Sequence, residues 1–306
     1  MEHYPHPRLS WLGTGRMGVA MSERLLDAGE KLTVWNRTRA KTAPLADKGA
    51  EVADTIGELT EHADIVFVVV TASADLLEVV TGPAGLLHGG ANGHRPAVIV
   101  DFSTVSAEAS AQASTAAAEA GVAFLAAPVS GNPDMVAEGR AAIVASGTAE
   151  AFERVRPYLD KIAPTVTYTG PGQTSLLVKL CHNLMLGMVT QSLVEVTALA
   201  EKGGVSRADF IDFINGSVLG STVTRHKGRA LAERDYTPTV TTTMLRKDFD
   251  LGLAAARALE VPMPLGAMVQ QLIQTAIAHG HGESDYASLF ELAARAAGLD
   301  HAEHGA

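Results

Sequence analysis

Lys179 is the one charged residue in the apolar run Ser175-Leu-Leu-Val-Lys179-Leu-Cys-His-Asn183-Leu-Met-Leu-Gly187. Asn183 lies four residues further on, so on a helix the two side chains share a face, with His182 beside them or on the flank. A lysine among aliphatic side chains loses hydration, which lowers its pKa and suits it to proton transfer near neutrality. The plain alternative is a helix lysine whose stem lies on apolar surface while its amine stays in water. A second group is Gly13-Thr14-Gly15-Arg16-Met17-Gly18, a G-x-G-x-x-G between an apolar run and a helical pattern. In that setting Gly13 permits a tight turn, Gly15 admits a pyrophosphate to the backbone, and Gly18 lets the helix pack on the strand. The helix N-terminus then offers free N–H groups to the phosphates, and Arg16 and Met17 join the candidate cofactor contacts.

Which dinucleotide fits depends on the end of the next strand. A site selective for NAD places a carboxylate there, on the ribose 2′-hydroxyl. Here the strand ends Val34-Trp35-Asn36-Arg37-Thr38 with no acid. Arg37 offers a guanidinium to a 2′-phosphate, and Asn36, Thr38 and Lys41 can add donors. The residues therefore point to NADP(H). A solvated loop arginine is the alternative for Arg37.

These residues need a scaffold, and the hydrophobic pattern supplies one. Residues 9–12, 31–35, 65–70, 97–101, 122–125 and 141–145 read as strands. Those at 65–70 and 97–101 are continuous apolar strands, the second ending in Asp101, as when both faces of a sheet are covered. Helical patterns fall between them at 18–28, 38–48, 74–80 and 104–120. The alternation predicts an α/β fold with a mostly parallel, Rossmann-type sheet. After Gly170-Pro171-Gly172 the pattern turns helical, at 174–202, 207–215, 243–259 and 265–279, with no strong strand beyond Thr169. We expect an NADP-binding Rossmann domain over 1–170. We expect an all-helical substrate and dimerisation domain over 171–306, entered through a long interdomain helix.

Composition narrows the function further. The chain has 306 residues, with 24 Lys and Arg against 34 Asp and Glu, a net charge of −10. That balance argues against nucleic acid as a partner. One cysteine, Cys181, excludes an intrachain disulfide and an all-cysteine zinc site; it reads as a packing residue of the long helix. The start lacks an apolar targeting segment, and the longest strongly apolar run, 65–70, is far short of a membrane span. A cytoplasmic protein without a membrane partner is the expectation. His279-Gly-His281-Gly-Glu283 has ligand-type residues, but a glycine-rich loop is the favoured reading, and no metal site is expected. Arg225, His226, Lys227 and Arg229 read as a solvated helix face. His301 and His304 read as a frayed tail. There is no G-x-S-x-G nucleophile elbow.

Several segments, in order, resemble the β-hydroxyacid dehydrogenase family. They are 13–18, Asn36-Arg37-Thr38, Asp101-Phe-Ser-Thr-Val-Ser106, Ala127-Pro-Val-Ser-Gly131, 179–183 and Lys247-Asp248. That family holds 3-hydroxyisobutyrate dehydrogenases, tartronate semialdehyde reductases and glyoxylate/succinic semialdehyde reductases. The resemblance implies hydride transfer between nicotinamide and a small aldehyde, keto or hydroxy acid. It implies Lys179 as proton donor or acceptor and Asn183 as its orienting partner. Ser130 and Gly131 would hold the substrate carboxylate, with Ser130 also counted among the catalytic residues. Thr104, with Ser103 beside it, Val70, Thr71 and Lys247 would contact the cofactor, and Asp248 would fix its surroundings. The Gly-Glu-Ser-Asp285-Tyr286 stretch would border the site. A homodimer or larger homo-oligomer is also implied.

The sequence departs from the family pattern at several positions, among them Ala126 where aspartate is frequent. Asn132 stands where a glycine is usual in the substrate loop, His182 where asparagine is common, and Ala72 where proline is common. Asn132 therefore joins the candidate substrate contacts, and the usual small hydroxy acid is placed in doubt. Imine reductases share the architecture and differ chiefly in lacking the lysine. An imine reductase and a non-catalytic dinucleotide-binding regulator are the alternatives, and Lys179 weighs against both.

Overall fold

The structure is a computed structural model, describing residues 7–61, 63–91 and 93–299. The tail with His301 and His304, and residues 1–6, lie outside the described residues. The chain divides into two compact units between Lys179 and Leu180.

In the first unit the chain runs through β1 (Leu9–Leu12), α1 (Arg16–Asp27), β2 (Leu32–Trp35), α2 (Ala43–Asp47), β3 (Glu51–Val52) and α3 (Ile56–Thr60). It continues with β4 (Ile65–Val68), α4 (Ser73–Thr81), β5 (Val98–Asp101), α5 (Ala107–Glu119) and β6 (Ala123–Ala126). The last stretch holds β7 (Val129–Ser130), α6 (Pro133–Ala137), β8 (Ala142–Ala145), α7 (Ala149–Ile162) and β9 (Thr165–Tyr168). The main sheet has the order β3-β2-β1-β4-β5-β6 with every pair parallel. This is the doubly wound order that places ligands at the strands' carboxyl ends, where the order reverses between β1 and β4. A smaller sheet, β7-β8-β9, pairs antiparallel and then parallel.

The apolar runs follow from the two cores that cover the main sheet. Ile65 and Phe67 of β4 face one core, with Leu9, Trp11, Val98, Val100 and Leu125. Val66 and Val68 face the other, with Leu12, Ile99, Phe124 and Ala126. Trp11, Phe67 and Phe102 stack with ring centroids 5.4 to 5.9 Å apart.

Some elements differ from the sequence reading. Residues 38–48 form a 3-10 turn (Arg39–Thr42) and then the short α2, because Pro44 can only open a helix. The helix expected from 104 starts at Ala107, where Ser106 caps it by accepting the Ala109 N–H. α7 holds Pro157 in its interior, which disguised its pattern. β9 alternates exposed and half-buried residues and has no apolar run.

α8 (Thr174–Lys202) begins in the first unit and continues into the second. By length and composition it is apolar enough to cross a membrane. Half of its apolar stretch is buried in the protein. The second unit then runs through α9 (Arg207–Gly216), α10 (Thr222–Glu233), α11 (Thr242–Ala258), α12 (Pro264–Ala276) and α13 (Leu289–Ala296), with no β-strand among its described residues. Its core joins Leu184, Val194, Ile211, Phe249, Ile273 and Phe290. Gly187 matters here, since a Cβ at that position would overlap the Phe249 ring. The glycine lets α8 and α11 approach closely.

α10 corrects the reading of the basic cluster. Arg225, His226 and Arg229 are exposed, but Lys227 is buried. Its Nζ lies 2.7 and 2.9 Å from the two Asp285 carboxylate oxygens and 3.8 Å from the Tyr286 ring centroid. Asp285 also accepts the N–H groups of Thr239 and Ala287. Burial alone would raise the Asp285 pKa, but the Lys227 ammonium and these donors hold it below the usual carboxylate range. Cys181, expected to pack, is exposed.

Candidate active site

The carboxyl ends of β1, β2, β4 and β5 carry the candidate cofactor residues of the first unit. Gly13 has φ +96°, and a Cβ there would overlap the Val69 carbonyl oxygen, so β1 and β4 can come this close only with glycine. The Gly13 N–H donates to Trp35 O at 2.9 Å and the Trp11 indole N–H donates to Gly13 O at 3.0 Å, fixing the turn from both sides. Gly18 packs against the same carbonyl oxygen, leaving no room for a side chain.

The residues fit a dinucleotide at this turn. Gly15 precedes α1 and gives it no side-chain cap, so the first-turn N–H groups are left for an anion. A Cβ on Gly15 would meet no protein atom within 4 Å. Arg16 is exposed and Met17 half-buried on the same first turn.

The Asn36 amide is also engaged within the protein. Its Oδ1 accepts the Thr14 N–H at 3.0 Å and its Nδ2 donates to Thr38 O at 3.0 Å. The amide therefore ties the glycine turn to the end of β2. Arg37 has 77% of its side chain exposed and lies 3.4 Å from Asp75. Asp75 is already engaged at the start of α4, where it accepts the Ala72 N–H at 3.2 Å. Thr38 is exposed beside Arg37.

At the ends of β4 and β5, Ser103 is the link. Its Oγ accepts the Val70 N–H at 2.9 Å, and its own N–H donates to Asp101 Oδ1 at 2.9 Å. Thr71 is exposed and Thr104 half-buried beside these groups. Asp101 is fully buried, and burial pushes its pKa up to about 7 against the pull of the Ser103 hydrogen bonds.

The candidate carboxylate loop lies between β6 and β8. Ser130 ends β7 and is half-buried, and Gly131 has φ +134°. Asn132 turns out to be a helix cap. Its Oδ1 accepts the Met135 N–H at 2.8 Å at the start of α6.

α8 carries Lys179, 9% exposed, and Asn183, 6% exposed, one turn apart. In the second unit the Asn183 amide is held at both ends. Its Nδ2 donates to Asp248 Oδ2 at 2.7 Å, and its Oδ1 receives His182 Nδ1 at 3.0 Å. Lys247 Nζ lies 3.5 Å from Asp248 Oδ1. The Asp248 contact with Asn183 spans 65 residues, and no local pattern could have shown it. Among the described residues, no three His, Cys, Asp or Glu side chains are grouped to hold a metal ion.

Comparison with known proteins gives a consistent result. Residues 8–170 match the family model for the NAD binding domain of 6-phosphogluconate dehydrogenase. Residues 170–293 match the one for the NAD-binding of NADP-dependent 3-hydroxyisobutyrate dehydrogenase. The chain is 33% identical to an uncharacterized oxidoreductase, YfjR, of Bacillus subtilis, over 93% of this chain and 99% of that one. It is 28% identical to 3-hydroxyisobutyrate dehydrogenase of Pseudomonas aeruginosa, over 92% and 95% respectively. The crystal structure of 3-hydroxyisobutyrate dehydrogenase from Salmonella typhimurium superposes with a TM-score of 0.82 at 25% identity, covering 93% of this chain and 99% of that chain.

Proposed function

Since the chain belongs to the β-hydroxyacid dehydrogenase family of nicotinamide-dinucleotide oxidoreductases, we propose that it is an NADP(H)-dependent reductase of small aldehyde or keto acids, reversible as a 3-hydroxy acid dehydrogenase. The observation that carries this reading is the buried Lys179, with Asn183 one turn further along the same helix. A protein that merely senses a dinucleotide has no need of an amine buried in an aliphatic helix.

The cofactor supplies hydride chemistry from its nicotinamide ring, and the protein supplies position and a proton. Lys179 delivers that proton to the substrate oxygen as it gains negative charge, and recovers it in oxidation. Asn183, fixed by Asp248, orients substrate and lysine. Ser130 and the Gly131 N–H receive the substrate carboxylate, with Asn132 setting the start of α6 behind them. The α1 N-terminus with Arg16 and Met17 would receive the pyrophosphate, Val70, Thr71 and Thr104 would contact the ribose and nicotinamide ends, and Lys247 of the second unit would be a further cofactor contact.

Arg37 is the basis for NADP(H) over NAD(H). Its guanidinium is exposed beside a strand end that lacks the ribose-binding carboxylate. The test follows cofactor oxidation with NADPH and NADH against glyoxylate, succinic semialdehyde, larger keto acids and cyclic imines. NADPH is expected to be the more efficient cofactor. Arg37→Ala is expected to cut kcat/KM for NADPH about tenfold, the worth of one exposed charge-assisted hydrogen bond, with little change for NADH. Equal or higher efficiency with NADH in the parent protein would overturn the assignment.

A cytoplasmic homodimer or larger homo-oligomer completes the proposal. Met185, Val196 and Leu199 on α8 and Phe213, Val218 and Leu219 near α9 are exposed, more large apolar surface than a lone helical unit leaves to water. Light scattering at micromolar concentration is expected to give at least twice the chain mass, and a monomer would refute the assembly.

A further inference from the structure

The first turn of α8 is fastened by two hydroxyls that take no part in the proposed chemistry. Ser146, just after β8, and Ser175, in that first turn, are both fully buried. Ser146 exchanges backbone hydrogen bonds of 2.8 and 2.9 Å with Ala126, the last residue of β6. Its Oγ accepts the Ser175 N–H at 3.1 Å and lies 2.7 Å from Ser175 Oγ. Ser175 Oγ in turn lies 2.9 Å from Ala126 O.

Each hydroxyl has one proton, which fixes the direction of the chain. Ala126 O can only accept, so Ser175 donates to it, and Ser146 must donate to Ser175. The Ser175 N–H is one of the helix-start groups that has no acceptor within its own helix. Such a group is usually capped by a neighbouring residue, but here the cap comes from 29 positions upstream.

Two parts of the candidate site meet at this seam. Ser175 lies four residues before Lys179, on the same face of α8, and both are buried. Leu176, beside Ser175, sits in the sheet core with Ala126 and Val68. On the other side, β8 holds the carboxylate loop. Val129 and Ser130 pair with Ile143 and Ala142, and the Val144 N–H donates to Pro128 O at 3.2 Å. Strand β8 thus fixes the Ser130 loop through its ladder, and the start of the lysine helix through Ser146.

We propose that Ser146 and Ser175 are positioning residues that set the depth of Lys179 against the Ser130–Gly131 loop. The proposal rests on the reading of Lys179 as proton donor. Displacing a catalytic group by about 1 Å can cost on the order of 10²-fold in rate.

The experiment compares Ser146→Ala, Ser175→Ala and the double variant, each in the parent and in a Lys179→Ala background. NADPH oxidation is followed with the fastest carbonyl substrate of the panel, per folded protein from far-UV circular dichroism. Each single variant is expected to lower kcat roughly tenfold to a hundredfold while KM for NADPH stays within about twofold. The double variant is expected to be little worse than either single one, because the hydroxyls act as one network. Without Lys179 the serine changes are expected to cost nothing further. Parental kcat in both single variants, beside an inactive Lys179→Ala, overturns this proposal alone. An equal loss with and without Lys179 overturns it too, since the hydroxyls would then support the fold in general. Near-parental activity in Lys179→Ala removes the lysine reading and this proposal together.

Discussion

Lys179→Ala is expected to lower kcat for carbonyl reduction by roughly 10²–10⁴-fold while leaving NADPH affinity close to that of the parent. The range is what a positioned general acid typically contributes. Cofactor affinity should survive because the glycine turn, the α1 N-terminus and Arg37 all belong to other elements of the first unit. Lys179→Arg is the sharper variant. It keeps the charge and most of the length, but a guanidinium does not release its proton near neutral pH. If Lys179 merely attracted the substrate carboxylate, arginine would restore the rate. Under proton transfer, Lys179→Arg stays slow and its KM for substrate stays near parental. Stopped-flow measurement of NADPH oxidation separates the two, and a fast arginine variant would refute the proton-donor role.

Much of this arrangement is legible in the sequence, and several of the exceptions share a cause. Strands β4, β5 and β6 announce themselves because burial on two faces favours apolar runs. The Gly13–Gly18 turn announces itself because backbone contacts exclude side chains at Gly13 and Gly18. Short-range signals failed where the partner is remote. Lys227 looks like one more basic residue of a wet helix until Asp285, 58 residues later, is seen against it. Ser146 and Ser175 look like ordinary turn and cap serines, and only the fold brings their hydroxyls to 2.7 Å. Asn36 and Asn132 drew attention as possible ligand contacts, yet both amides bond backbone groups that hold the turns beside the site. Polar residues near a proposed ligand thus divide into those that touch it and those that hold the touching residues in place. Spacing along the chain cannot separate the two.

Asp101 poses the same division in a form that stability measurements can resolve. The stretch Asp101-Phe-Ser-Thr carries part of the family resemblance, and the structure shows its carboxyl with no exposure to solvent. Oδ1 accepts the Ser103 N–H, while Oδ2 is buried with no hydrogen-bond partner. Burial raises its pKa from 3.8 to about 7, so the folded protein holds a proton there that the unfolded chain gives up. The sign follows from proton counting. This group's contribution is fully present below the unfolded value near 3.8, and is lost as pH rises to about 7. At about 1.4 kcal/mol per unit the whole swing is roughly 4 kcal/mol. Asp101→Asn keeps the Oδ1 acceptor for Ser103 but cannot ionise. Its stability relative to the parent is therefore expected to climb between pH 4 and 7 and to level off above pH 8. Urea unfolding of both proteins across that range measures the difference, and a flat difference would refute the buried, protonated carboxyl. Because Ser103 and Val70 stay tied in Asp101→Asn, its KM for NADPH is expected to remain near parental. Asp101→Ala removes the acceptor that fixes Ser103, and its KM is expected to rise. The contrast between the two variants separates what the charge does to the fold from what the hydrogen bond does for the cofactor edge of β4 and β5.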